Sequence, residues 1–171
     1  MDDSFNVTGK LRLELKNISG NIVDSREVPN LVVASGKEHI ASRIARVGGI
    51  FTNTGSTQVA NLDVKGNITS VMNCIALGNS TSVVVVGDTD LEGAGGVEMG
   101  RAVFSGISRT ANAITYTSVI GAGTATGTVR TAGIFNNVGP NTGNMLCRTT
   151  FADLTKGGSD SLTVTWIINI L

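Results

Sequence analysis

"GKLRLELKN", residues 9–17, alternates without a break. Leu11, Leu13 and Leu15 fall on one side; Lys10, Arg12, Glu14 and Lys16 fall on the other. This is the period-2 pattern of a strand with one face buried and one in water. "ISGN" (18–21) supplies turn residues, and "IVDSREV" (22–28) returns as a second strand, so the segment reads as a hairpin. Pro29 has no N–H to give a ladder and closes that strand; "NLVV" (30–33) continues in an extended or edge conformation.

The far end of the chain has the same period. In "SLTVTWIINI" (161–170), Leu162, Val164, Trp166, Ile168 and Ile170 form one apolar face, and Ser161, Thr163, Thr165, Ile167 and Asn169 form the other. Between these ends, strands are expected at "VMNCIALG" (71–78, apolar on both faces), "VVVVG" (83–87), 101–108, "NAITYTSVI" (112–120), "TGTVRTAGIF" (126–135) and "MLCRTTF" (145–151). One helix is expected, over "SGKEHIASRIARVGG" (35–49). Ser35 and Glu38 have capping-box spacing, Ile40, Ala41, Ile44, Ala45 and Val47 form an apolar stripe, and Gly48–Gly49 ends it. Residues 50–70 read as a loop or extended insert, and residues 1–8 as an N-terminal arm. About nine short strands and one early helix predict a single, mainly β domain over 1–171, an antiparallel β-sandwich or jelly-roll-like barrel.

Composition agrees and removes several function classes. The chain has 22 Gly and 2 Pro, and 15% of its residues are charged, against roughly 25% in an average soluble domain. Low charge weakens self-repulsion and points to an exterior covered by neighbours in an assembly. The 13 basic and 13 acidic residues cancel, with no run of Lys or Arg, so counterion-releasing nucleic-acid binding is not expected. No apolar run reaches the roughly 18 residues of a membrane-spanning helix. The N-terminus, "MDDSFNVTGK", lacks a basic-then-apolar leader, which favours synthesis in a reducing cytoplasm. Cys74 and Cys147 then read as buried free thiols, although spacing alone leaves a disulfide open. The N-x-S/T triplets at Asn6, Asn17, Asn67 and Asn79 are expected by chance in so Asn- and Thr-rich a chain.

No catalytic or metal-binding residue is assigned. His39 is the only histidine and reads as a helix-surface or interface residue, since a lone imidazole makes no His-based metal cluster. "LVVASGKE" (31–38) fails as a phosphate loop: Leu31 stands where a glycine is needed, and Glu38 where Ser or Thr would follow the lysine. "DTDLEGAGGVE" (88–98) sets Asp88, Asp90 and Glu92 at alternate positions, as a calcium loop does. However, Met99 takes the place of the bidentate acid, so a solvated acidic loop is the expected reading. "GAGTATG" (121–127) lacks dinucleotide-fingerprint spacing and opens no helix. With no nucleophile elbow, no flanked carboxylate pair and few aromatic residues, neither catalysis nor a sugar-stacking groove is expected.

Two dense patches remain, "TAGIFNN" (131–137) and "MLCRTTF" (145–151). As structure, Gly133 permits close backbone approach, Ile134 and Phe135 add apolar mass, and Asn136–Asn137 turn the chain. Met145 and Cys147 are expected on one face, with Leu146, Arg148 and Thr150 on the other. Arg148 would pair across strands or reach a neighbouring subunit.

The order "VRTAGIFNN … GNMLCRTTFADLTKGGSDSLTVTWIINI" resembles the C-terminal signature of a family of bacteriophage virion proteins. In that family A-G-(L/I)-F-N precedes a turn, then M-L-x-R-T-x-F, then K-x-x-x-D-x-L-x-(I/V)-x-W. The positions that match are Ala132 to Asn136, Met145, Leu146, Arg148, Thr149, Phe151, Lys156, Asp160, Leu162, Val164 and Trp166. "VPNLVVASGKEHIASRI", "CIALGNSTS" and "DTDLEGAGGVEMGRAVF" resemble the family's earlier segments in order, so the likeness spans nearly the whole chain. It implies a non-enzymatic virion structural protein. The first expectation is a capsid decoration (cement) protein on the outer capsid surface, binding the major capsid protein as a homotrimer without cofactor, nucleic acid or membrane. Its expected contact regions are residues 1–8, 50–70 and 88–99. The alternative is a tail, collar or baseplate/fibre-associated protein with tail or neck partners.

Overall fold

In the structure, a computed structural model describing residues 6–45, 71–92 and 96–171, the opening hairpin forms as its alternation requires. Strand β1 (Val7–Lys16) pairs antiparallel with β2 (Ile22–Pro29), with Leu11 opposite Val28 and Leu13 opposite Arg26. Asn17 makes the turn, its Oδ1 accepting from the N–H groups of Ser19 and Asn21. A two-residue strand β3 (Leu31–Val32) and helix α1 (Ala34–Ala45) follow. After them come β4 (Cys74–Gly78), β5 (Glu98–Thr110), β6 (Ala113–Ile120), β7 (Gly127–Phe135), β8 (Met145–Lys156) and β9 (Ser161–Ile170). These strands make one antiparallel sheet in the order β2-β1-β9-β6-β5-β4-β7-β8-β3, curled into an almost closed barrel. The expected mainly β, antiparallel architecture is thus observed, as a barrel-like sheet.

The barrel is closed by a change of partner within one extended segment. Up to Pro29 the chain pairs with β1; from Leu31 it pairs with β8, with Leu31 opposite Arg148 and Val32 opposite Cys147. Asn30 is the hinge, and its N–H donates to Gly9 O at 3.1 Å. A side chain at position 9 would not fit, because its Cβ would lie 2.8 Å from the Ile167 backbone oxygen as well as 2.1 Å from Asn30 Oδ1. Thr149 Oγ1 donates to Pro29 O at 2.6 Å, and the Arg26 guanidinium donates to the carbonyls of Ala152 and Asp153 on β8. Side chains thus bridge the seam where the ladder is interrupted.

The inside of the barrel is the main core. Leu11, Leu13, Leu15, Leu162, Val164, Trp166 and Ile168 are buried there with Ile75, Leu77, Ile134 and Leu154. Each large aliphatic side chain contributes about 1.5–3 kcal/mol by leaving water. The expected face of β9 is therefore the core face, and β4 is buried on both sides, also as expected. Cys74 and Cys147 are buried free thiols. Cys147 belongs to the main core and Cys74 to a second, smaller cluster.

Several expectations need correction. "VVVVG" (83–87) is not a strand but part of a loop between β4 and β5. Four β-branched residues favour extended backbone, yet here they join no ladder, and Val83, Val85 and Val86 are exposed. Ser35 does not cap the helix: α1 begins at Ala34, Lys37 N–H donates to Val33 O, and Ser35 Oγ donates across to Met145 O. The Gly48–Gly49 end of the helix and the 50–70 insert lie outside the described residues. The N-terminal arm is shorter than 1–8, because Val7 and Thr8 already pair with Ile170 and Asn169. In β8 the expected alternation breaks. A register shift sets Ile134 opposite Cys147 but Phe135 opposite Met145, which turns both Leu146 and Cys147 inward and leaves Met145 in the second cluster. β8 also runs to Lys156, five residues past the expected end.

Candidate functional site

Outside the barrel wall, the loop between Asn79 and Val97 lies over the outer faces of β4, β7 and β8. Its neck is tied twice: Asn79 N–H donates to Val97 O at 3.1 Å, and Val97 N–H donates to Asn79 Oδ1 at 2.8 Å. Beneath it sits the second core of Val33, Cys74, Ala76, Leu91, Phe135 and Met145. Leu91 is fully buried and packs against Gly133, where a Cβ would lie 2.9 Å from Leu91 Cδ2 and 3.1 Å from the Cys147 backbone oxygen. Gly133 of the "TAGIFNN" patch, where a bulge or a close backbone approach is expected, thus makes room chiefly for the Leu91 and Phe135 side chains.

The loop is fixed by Arg148, 1% exposed although it is charged. Its guanidinium donates to Asp88 Oδ2 at 2.7 Å, to Ser82 Oγ at 2.8 Å, to Ser80 Oγ at 3.3 Å and to Thr131 Oγ1 at 3.3 Å. Such pairing offsets the cost of taking a guanidinium out of water. Asp88 Oδ2 also accepts from Val85 N–H, and Asp88 N–H donates to Val85 O, which locks a turn over residues 85–88. Val86 O in turn accepts from Ala34 N–H at the start of α1. The acidic triplet of the calcium-like loop is thus divided: Asp88 is committed to Arg148, and Asp90 Oδ1 accepts from Glu92 N–H. Among the described residues, no three His, Cys, Asp or Glu side chains gather as a metal site.

A second arginine anchors the next loop. Arg101 forms a two-pronged pair with Glu98, at 2.7 Å for both contacts, stacks over the Phe135 ring at 4.1 Å and donates to the carbonyls of Asn137 and Thr142. Both charged side chains are almost wholly buried. Asn136 and Asn137 turn the chain as expected, Asn136 Oδ1 accepting from Asn144 N–H and Asn137 Oδ1 from Gly139 N–H. Cys74 Sγ donates to Asn137 O at 3.0 Å; burial pushes its thiol above the ordinary cysteine range. Burial raises Cys147 much further, only partly opposed by the Ile134 backbone and the Asn30 amide. Both thiols therefore stay protonated and poorly nucleophilic.

At one end of the barrel a cavity of about 270 Å3 opens between α1, β6 and β9, lined mainly by apolar side chains with His39 and Tyr116. His39 is half-buried on this lining rather than on an open helix face. At the other end, Lys156 is fully buried with its Nζ donating to Gly121 O at 2.9 Å, and burial lowers its pKa. Sequence reasoning set Arg148 outward but did not find Asp88, Ser80 or Ser82 as its partners. A strand arginine between Cys147 and Thr149 needs a partner once it is buried, but nothing in the sequence says which residue supplies it.

What the arrangement does chemically is hold a short apolar tip in one conformation. Val83 is 82% exposed, beside Val85 and Val86, on a loop with a buried ion pair at its base. No helix among the described residues is long and apolar enough to cross a membrane. No family model matches the chain, and no curated protein or solved structure is significantly similar to it.

Proposed function

We propose that the protein is a non-enzymatic structural component of a bacteriophage virion, a decoration protein that binds the major capsid protein from outside as a homotrimer. The observation that carries this reading is the valine tip at residues 83–86, apolar, exposed and braced by Arg148. A tip fixed before contact loses little conformational freedom on docking, so its burial goes largely into affinity. The resemblance of the sequence to phage virion proteins supports a virion setting for the tip. Binding only the assembled shell would stabilise that shell by mass action. Three linked tips would turn modest single affinities into avidity where the geometry permits.

Gold-labelled antibody against the protein, applied to intact virions in the electron microscope, tests the placement. Even labelling over the head is expected. Labelling confined to tail or neck would overturn the capsid reading in favour of a tail or collar component. Val83→Asp, which changes an exposed residue, is expected to fold normally and to reduce binding to shells at least about tenfold, the scale of burying an unpaired charge at a contact.

A further inference from the structure

The cavity beside α1 takes no part in bracing the valine tip, and its walls come from three directions. Ile114 and Tyr116 of β6 and Ile168 of β9 line it from the sheet, with Ile114 in register with Ile168. Leu146 reaches it from β8, and His39 and Ile40 close the helix side. That helix wall is held in place: Ser35 Oγ donates to Met145 O at 2.8 Å, and Gly36 sits directly against the Leu146 carbonyl. The space measures about 270 Å3. A dry apolar cavity of about 150 Å3 is enough to take up benzene, so this one has room for roughly eight to ten carbon atoms. Among the described residues, no Asp, Glu, Lys or Arg lines it. A charged ligand would lose its hydration there without meeting a fixed opposite charge. The Tyr116 ring packs against Phe104, with centroids 4.7 Å apart. Burial raises its pKa, so the hydroxyl keeps its proton, and it donates to no acceptor among the described residues.

We propose that this cavity is a binding site for one small uncharged molecule: an aliphatic or aromatic body of roughly eight to ten carbons, carrying a carbonyl oxygen that accepts from the Tyr116 hydroxyl. Walls formed in advance lose little freedom on binding, so dispersion contacts and the one hydrogen bond go largely into affinity. The site is independent of the proposed virion role, since none of its lining residues belongs to the β4–β5 loop.

Octan-2-one and acetophenone, a chain and a ring, titrated calorimetrically into the purified full chain at pH 8, test it. One-to-one binding is expected, with Kd about 10–100 μM, the scale of a well-seated ligand of about nine heavy atoms. Trp166, the chain's single tryptophan, stands opposite Tyr116 in the sheet, so its emission is expected to change in step with the calorimetric signal. Tyr116→Phe should raise both Kd values about three- to tenfold, the worth of one hydrogen bond. Ile114→Phe, which takes up part of the space, should raise them at least about tenfold. Ile18→Ser, which removes an 81% exposed apolar side chain at the hairpin tip, should leave binding unchanged. Circular dichroism is expected to show all three variants folded. Octanoate is expected to bind at least about tenfold more weakly than octan-2-one. No binding of either ketone up to its solubility, binding that neither cavity variant weakens, or octanoate held as tightly as octan-2-one would overturn the proposal and leave the virion reading to its own labelling test.

Discussion

At the scale of single residues, Arg148 and Lys156 pose the same problem, a cation in a protein interior, and solve it differently. Arg148 has a carboxylate and three hydroxyl oxygens within hydrogen-bonding reach. Arg148→Met would leave Asp88 partly buried and unpaired, and is expected to cost about 2–4 kcal/mol in urea unfolding. An unchanged midpoint would mean that the pair does not hold the loop. Lys156 donates to one backbone carbonyl, and burial depresses its pKa. Between that depressed value and the ordinary lysine value of about 10.5, the unfolded chain binds more protons than the folded one. Stability at this residue therefore rises with pH across the window, and the burial penalty is full below it. Lys156→Met is expected to be as stable as wild type or more so at neutral pH, with its advantage shrinking as pH approaches 10.5; an advantage that grows with pH would contradict this. The sequence displays both cations but not their surroundings, because Asp88 lies sixty residues from Arg148 and Gly121 thirty-five from Lys156. Such partners are set by which strands become neighbours, which alternation within one strand does not encode.

Among the elements, those whose pattern repeats were legible and those fixed by a single contact were not. β1 and β9 declare themselves because every second residue is apolar over a full strand. The β4–β5 loop does not, since its four valines carry strand propensity while their position is decided by Arg148 and by the Val86–Ala34 bond. The bulge at Leu146 is hidden for a similar reason: one extra residue in β8 reverses the faces without altering composition. Helix α1 was found but its start was misjudged, because Ser35 bonds to Met145 rather than to its own helix. Its docking depends on Gly36, where a Cβ would lie 1.9 Å from Leu146 O. Gly36→Ala gains helix propensity of about 1 kcal/mol yet is expected to destabilise the protein by about 1–3 kcal/mol through overpacking. Thermal unfolding checks the sign; a raised Tm would show that the helix is free to shift from β8.

For the whole molecule, the mainly β architecture was readable from strand spacing, whereas strand order was not. The order has a kinetic cost. β1 pairs with β9 over its full length, Val7 opposite Ile170 and Lys16 opposite Ser161, so the first and last described strands must meet before the barrel exists. Loop closure on that scale is slow, and refolding is expected in milliseconds to seconds. A stopped-flow trace completed within microseconds would contradict it. The central place of β9, between β1 and β6 and with Trp166 at its middle, also bears on synthesis. While a ribosome is still making residues 161–170, the nascent chain has two open edges and a half-built apolar interior. Until β9 docks, the edges of β1 and β6 and the apolar side chains between them stay open, so each copy passes through a sticky adolescence before its own packing can keep it apart from its siblings.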